Sequence, residues 1–391
     1  MGKHGRARNT LERLGLYTLL VVAYTIVSVK LESIGVIPLA SRDEDLYIEA
    51  GLKYINGTPP IDYNMEHPPL AKYIIGICHS TGLGDLCPRI AVVTSVILAS
   101  KSLSNLGFKK ASKWIYLALL DPLLYSLSLH DLLDTYMLPA SMLTLYTYTL
   151  KTREPLKTIL LGASSGIALA MKHPALLIVA PIQALHIRNT KSIKTALLLL
   201  TITLAAYTAT YIQDARTYGP EAIIKHNIEA LEYMKGRHGF SPIILANGIL
   251  EYILRIELWG KTHIITINIT FTNHTLANYT INTTKLEKPE LVINYTPWLA
   301  NLALVTVPAV TIHTLTSKKP EHKNLKELSI ITLATHLHLA FGPLWWYYTL
   351  PVAAGYILLL AYLEQRDARL YGYIILSQAL TWIIYIILNI K

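Results

Sequence analysis

The sequence predicts an all-α polytopic membrane protein, on three observations. Of its 391 residues, 52% are hydrophobic and only 15% charged, more apolar surface than a soluble domain of this size buries. Apolar runs close to spanning length recur from residue 14 to the C-terminus. The lysines and arginines behind the net charge of +10 sit in short loops between those runs, as cytoplasmic membrane loops do, which argues against nucleic-acid binding.

The first run follows a basic segment, Met1 to Arg13, and no small-residue cleavage site lies behind it, so it reads as a retained helix rather than a signal peptide. Basic loops at 1–13, 101–113, 151–157, 186–194, 317–326 and 364–369 go to the cytoplasmic side. Spans then fall at roughly 14–31, 88–103, 114–130, 133–150, 157–171, 173–187, 195–213, 297–315, 328–344, 349–363 and 372–390. That is about eleven transmembrane helices in one integral membrane domain, 1–391, with a cytoplasmic N-terminus and an outer C-terminus. Residues 32–87 become a first outer loop, in which 43–56 and 69–80 are short helices lying on the membrane surface. Residues 214–296 become a large outer loop, with helical periodicity over 219–255 and strand-like alternation over 262–284. Asn-x-Ser/Thr sequons at Asn56, Asn268, Asn273, Asn278, Asn282 and Asn294 all fall in these two segments. Cys78 and Cys87 could pair on an oxidising face, but the plainer reading is two isolated thiols.

Two stretches of the first outer loop carry candidate chemistry. Asp43, Glu44 and Asp45 open a helix, where acids favour the dipole. The apolar pattern behind them (Leu46, Tyr47, Ala50, Leu52, Tyr54, Ile55) lays that helix on the membrane, so its acidic end meets lipid headgroups. A carboxylate there is positioned to accept a proton from an acceptor hydroxyl. Further on, Pro68 and Pro69 start the next helix. A helix start does not account for Glu66 and His67 just before them, nor for Lys72 one turn in, whose cation suits a lipid phosphate. His336 and His338 lie inside a predicted span and lack a third ligand at metal-binding spacing, so they read as core. The aromatic run Trp345-Trp346-Tyr347-Tyr348 reads as a boundary belt. No nucleotide motif and no metal constellation stand out, so no cofactor is expected.

The order Asp43-Glu44, then a Tyr-containing helix ending at Asn56-Gly57, then Glu66-His67-Pro68-Pro69-Leu70-Ala71-Lys72 resembles the first outer loop of C-type (GT-C) membrane glycosyltransferases. The resemblance is above all to the protein O-mannosyltransferases (dolichyl-phosphate-mannose–protein mannosyltransferases), with Ala71 in place of their usual glycine. The bacterial aminoarabinose transferases are similar, with Lys-Pro-Pro-Leu there. Gly84 to Arg89 is similar to the arginine-containing start of the next helix in the superfamily. Ser128 to Asp134 resembles the second-outer-loop motif ending in Leu-Asp, which gives Asp134 the active-site position. The family's arginine shortly before that aspartate is replaced here by Leu129 and His130. Gly162 to Lys172 resembles a glycine-rich helix ending in lysine, so Lys172 is expected to supply the missing positive charge. Tyr233 to Pro242, with Arg237 and His238, is weakly similar to a histidine-containing stretch of the large outer loop. The motifs are specific over 41–76 and 126–174.

The resemblance implies transfer of a sugar from a dolichyl- or other polyprenyl-phosphate donor to a hydroxyl at the outer face, in one inverting displacement. Asp43 would be the base or align the acceptor hydroxyl, with Glu44 and Asp45 left open as alternative bases; Glu44, Glu66, Tyr47 and Asp134 would position the acceptor or orient the cations. His67, Lys72, Lys172, Arg237 and His238 would hold the phosphate. The His-Pro-Pro form and the span count favour mannose and a protein Ser/Thr acceptor, with a lipid or glycan acceptor as the alternative. A lipid-linked-sugar flippase or transporter is the rival from another class; it should show paired repeats with broken mid-span helices, and no such repeat is found. The expected partners are the lipid-linked donor, the acceptor and membrane lipid, with dimerisation left open. The expected location is a plasma membrane of archaeal type.

Overall fold

The computed structural model describes residues 3–33, 43–237, 259–260, 263–272, 275–285, 309–317, 323–337 and 350–366. Helix α1 (Lys3–Ser33) leads into the first predicted outer loop. There α2 (Asp43–Ile55) opens with three acids in its first turn, and α3 (Leu70–Ser80) starts directly after Pro69. These two helices cross at Gly51 and Gly76. A Cβ on Gly51 would stand 2.3 Å from the Lys72 carbonyl oxygen, and one on Gly76 would stand 2.3 Å from the Gly51 carbonyl oxygen. Only hydrogen fits at that crossing.

α4 (Cys87–Asn105) follows a tight turn in which Gly82 adopts a φ of +74°. That turn folds the end of α3 back onto the start of α4 and brings the Cys78 and Cys87 Cα atoms to 6.3 Å. The two cysteines, expected as isolated thiols, are therefore joined in a disulfide. A second correction concerns the span expected at 114–130. It is broken into α5 (Ala111–Trp114), a 3₁₀ segment Ile115–Leu120 and α6 (Pro122–Leu127). Asp121 precedes Pro122 and takes an extended ψ of 129°, which the proline ring enforces and which no helix continues through. Its buried carboxylate accepts a hydrogen bond from the Tyr356 hydroxyl at 2.7 Å.

α7 (Leu133–Thr149), α8 (Glu154–Met171), α9 (Leu176–Thr190) and α10 (Ile193–Thr208) form the body of the bundle. α7 packs against α4 and α8, and α8 packs against α10 at Gly166, where a Cβ would meet the Thr203 carbonyl oxygen. A 3₁₀ turn carries α10 into α11 (Ile212–Tyr218), extending the span expected at 195–213. Among the described residues, Ile193–Tyr218 is the one helical run long and apolar enough to cross a membrane by length and composition. Its Ile193, Leu197, Leu200 and Leu204 are 52–74% exposed, the face a lipid environment covers.

α12 (Glu221–Arg237) begins the large loop, and strands β1 (Trp259–Gly260), β2 (His263–Thr272) and β3 (Thr275–Lys285) pair antiparallel within it. Residues 309–316 are helical, followed by α13 (Lys323–His336) and α14 (Leu350–Arg366), which pack on each other. The span expected at 372–390, His338 and the run Trp345 to Tyr348 lie outside the described residues.

The α2–α3 crossing makes a direct prediction. Gly76→Ala should cost about 1–3 kcal/mol by forcing two backbones apart. Thermal unfolding of the detergent-solubilised protein checks it, and a wild-type Tm would contradict the crossing.

Candidate active site

The site gathers at one end of the bundle, around the N-terminus of α2. Asp43, the first residue of that helix, is half-buried and lies within electrostatic reach of Asp134. Glu44 bonds with both carboxylate oxygens. Its Oε2 lies 2.6 Å from His130 Nδ1, and its Oε1 accepts the Asp131 backbone N–H at 2.8 Å. These bonds clamp α2 to the segment just before α7. Burial pushes the Glu44 carboxyl up. The hydrogen bonds from His130 and Asp131, with the charges of His130 and His79, outweigh burial and hold it below the usual glutamate value. Asp45 is exposed.

Asp131 extends the network. Its Oδ2 lies 2.7 Å from His79 Nε2, and its Oδ1 accepts from the Tyr136 hydroxyl. Burial raises the Asp131 carboxyl above the usual range against both bonds. His79 adjoins the disulfide through Cys78, so the α3–α4 turn and the α7 entrance are held together.

Asp134 lies in the first turn of α7, and Lys172 lies in extended backbone between α8 and the 3₁₀ turn His173–Ala175. Lys172 Nζ is 2.5 Å from Asp134 Oδ2, and the two side chains are 5% and 1% exposed. The second carboxylate oxygen of Asp134 is buried with no hydrogen-bond partner among the described residues, and the same holds for His173 Nδ1. His173 lies within electrostatic reach of Lys172, Lys72 and His226.

The loop between α2 and α3 has a different construction from the one its motif suggests. Lys72, expected to face a phosphate, is fully buried. Its ammonium donates to the carbonyls of Asn64 and, at 3.2 Å, His67, and lies 3.5 Å from the Tyr54 hydroxyl. It is a strap inside the loop, drawn there because the loop's inward carbonyls need a donor. Burial pushes the Lys72 ammonium down to about 7 against the pull of Glu66. Glu66 accepts from Asn64 Nδ2 at 3.0 Å, and the buried His67 ring meets Tyr47 edge-on at 6.3 Å. On the far side of the loop, Asp214 accepts the Ile61 N–H at 3.0 Å and pairs with His226 at 2.8 Å. His226 Nε2 in turn reaches the Met65 carbonyl at 3.0 Å.

The structure thus brings Asp43, Glu44, Asp134 and Lys172 to one end, with Tyr47 on α2, Glu66 and His67 in the loop and Lys72 on α3 beside them. Arg237 closes α12, its side chain outside the described residues, as is His238. The sequence reading missed His79, Tyr136, His173, Asp214 and His226, and it gave Asp131 no role. Asp131 and His173 each adjoin a motif residue, a signal that was present; the other four carry none in the sequence. Among the described residues, no group of three or more His, Cys, Asp and Glu is arranged to hold a metal ion.

No protein-family model matches the chain, and no curated protein does. Among solved structures, it is similar to ArnT from Cupriavidus metallidurans bound to undecaprenyl phosphate, at 17% identity and a TM-score of 0.56, over 94% of this chain and 63% of that one. It is likewise similar to the same protein in the apo state, at 13% identity and a TM-score of 0.53, over 95% and 63%. The likeness is one of fold, and the chain spans 63% of the length of the solved structures it matches.

Two predictions follow from the buried charges. Lys172→Met should destabilise the protein by about 3–5 kcal/mol because it strands the Asp134 carboxylate, and adding Asp134→Asn should restore part of that loss. Additive losses in denaturation would contradict the pair. For Lys72, the folded value of about 7 lies below lysine's ordinary 10.5. Between those values the unfolded chain holds a proton that the folded chain has shed, so stability rises with pH across the window. Unfolding measured across it should show a steeper rise in wild type than in Lys72→Met; equal slopes would contradict this burial.

Proposed function

We propose that this protein is a C-type glycosyltransferase that moves a sugar from a polyprenyl-phosphate donor to a hydroxyl at the outer membrane surface. The observation that carries the proposal is Asp43 within electrostatic reach of the Asp134–Lys172 pair, with a buried carboxylate oxygen and the His173 imidazole nitrogen left unmet at that pair among the described residues. In this reading Asp43 takes the proton of the acceptor hydroxyl as its oxygen attacks the anomeric carbon from the face opposite the phosphate. The bond from that carbon to the phosphate oxygen breaks, and the polyprenyl phosphate leaves with the electron pair. Lys172 stabilises the charge of the leaving phosphate, which needs a cation rather than a proton, and the neutral His173 imidazole adds a hydrogen bond. Asp134 holds Lys172 in position, and Glu44 fixes the helix end that carries Asp43.

Three further observations support the reading. The motifs of the first outer loop and of residues 128–172 resemble those of this superfamily. The fold is similar to that of ArnT, a protein whose structure was solved with undecaprenyl phosphate. An apolar groove of about 640 Å³, lined by Leu20, Tyr24, Val27, Leu31, Leu117 and Leu120 among others, runs between α1 and the broken third span and suits an isoprenoid chain. The finer reading is mannose transfer to protein Ser/Thr from a dolichyl-phosphate donor, without a metal, in an archaeal-type plasma membrane with the N-terminus cytoplasmic. A lipid or glycan acceptor, as in the aminoarabinose transferases, is the second reading.

The test offers purified protein radiolabelled dolichyl-phosphate mannose or dolichyl-phosphate glucose, with a Ser/Thr-rich peptide as acceptor. Wild type should label the peptide, and Asp43→Asn should lose transfer by at least two orders of magnitude while still folding. Donor consumption without peptide label would move the acceptor to lipid or glycan. Donor binding with neither product would overturn the transferase and bring forward a flippase.

A further inference from the structure

The opposite end of the bundle carries a second charged cavity. α7 begins beside Asp134 and runs for 17 residues to Thr149, so its two ends lie about 24 Å apart. At the far end, the tips of α7, α8, α9 and α13 enclose a cavity of about 250 Å³. Lys151, Lys157, Lys323, Asn324, Glu154 and Glu327 are among its lining residues. The space corresponds to about eight water molecules, enough for a phosphate group.

Both carboxylates of the cavity are already engaged. Glu327 is buried, accepts from the Tyr148 hydroxyl at 2.7 Å and from Asn189 at 3.4 Å, and lies 3.6 Å from Arg188. Glu154 is paired with His186 at 3.1 Å. Among the described residues, none of Lys151, Lys157 and Lys323 has a carboxylate within ion-pair distance. Three lysines therefore line the cavity beside two carboxylates that already have other partners, with Lys157 also in electrostatic reach of both. Two of these lysines also stand where a helix disfavours them. Lys157 is in the first turn of α8 and Lys323 is the first residue of α13, which has no acid in that turn. The first turn of α8 also holds Glu154, whereas α13 has no acid to offset Lys323. An anion seated in the cavity removes the conflict, since lysines and helix ends then serve the same charge.

We infer that this cavity binds a phosphate-type anion, carried either by a membrane lipid headgroup or by free phosphate. The cavity sits on the loops whose basic residues read as cytoplasmic, where basic pockets between spans meet anionic headgroups. It is separate from the transfer site and does not depend on the activity proposed for that site.

The experiment measures Tm for the full chain in nanodiscs of phosphatidylcholine alone or with phosphatidylglycerol, and in detergent with inorganic phosphate against chloride at equal ionic strength. Wild type should gain several degrees from an anionic probe, and Lys157→Gln/Lys323→Gln should lose most of that gain. A gain from phosphatidylglycerol alone assigns the lipid headgroup, and a gain from inorganic phosphate as well assigns a soluble anion. No gain from either probe, or an equal gain in the double variant, overturns the inference. Should the double variant fail to fold, Lys323→Gln alone, at an exposed position, gives the same comparison with about half the loss.

Discussion

The constraint on which the rest depends is the ion pair between Lys172 and Asp134. Both groups are almost fully withdrawn from solvent, and an unpaired charge at such depth costs several kcal/mol. The pair therefore fixes two breaks in the bundle against each other: the entrance of α7, which carries the aspartate, and the extended residue after α8, which carries the lysine. Because only one oxygen of Asp134 is engaged within the described residues, the pair satisfies itself and still presents an unmet acceptor. Such a partly satisfied buried group is unusual in a finished core and is where a ligand is expected.

Around that pair, bonds between segments distant in sequence do the positioning. Glu44 ties the start of α2 to His130 and Asp131, and Asp131 reaches His79 beside the disulfide. Lys72 draws the loop before α3 inward, while Asp214 and His226 hold its outer side. The Gly51–Gly76 crossing lets α2 lie close enough on α3 for these bonds to form. The arrangement keeps Asp43 near Asp134 although no regular element joins them, and preorganised charge of this kind is what a displacement at a phosphate-linked carbon requires.

Much of this was legible in the sequence. The acids at the start of α2, the prolines before α3 and the lysine closing α8 each leave a local signature, and each motif sits at the element expected of it. What was not legible came from tertiary packing. Whether Lys72 turns outward to a phosphate or inward to two carbonyls depends on where the loop folds, and no spacing records that. The disulfide depended on the turn at Gly82, and the broken third span depended on the single pair Asp121-Pro122, whose weight against a long apolar run is hard to judge beforehand. Asp214 and His226 are a dozen residues apart in a stretch without a motif, and only the fold brings them to the loop before α3.

The most direct test of the account is a structure of the full chain in a nanodisc with undecaprenyl phosphate. The account predicts the phosphate beside Lys172 and His173, with Asp43 on the opposite side of the space where the sugar would lie and the Asp134–Lys172 contact retained. A phosphate bound elsewhere, with that pair sealed off from it, would contradict the account.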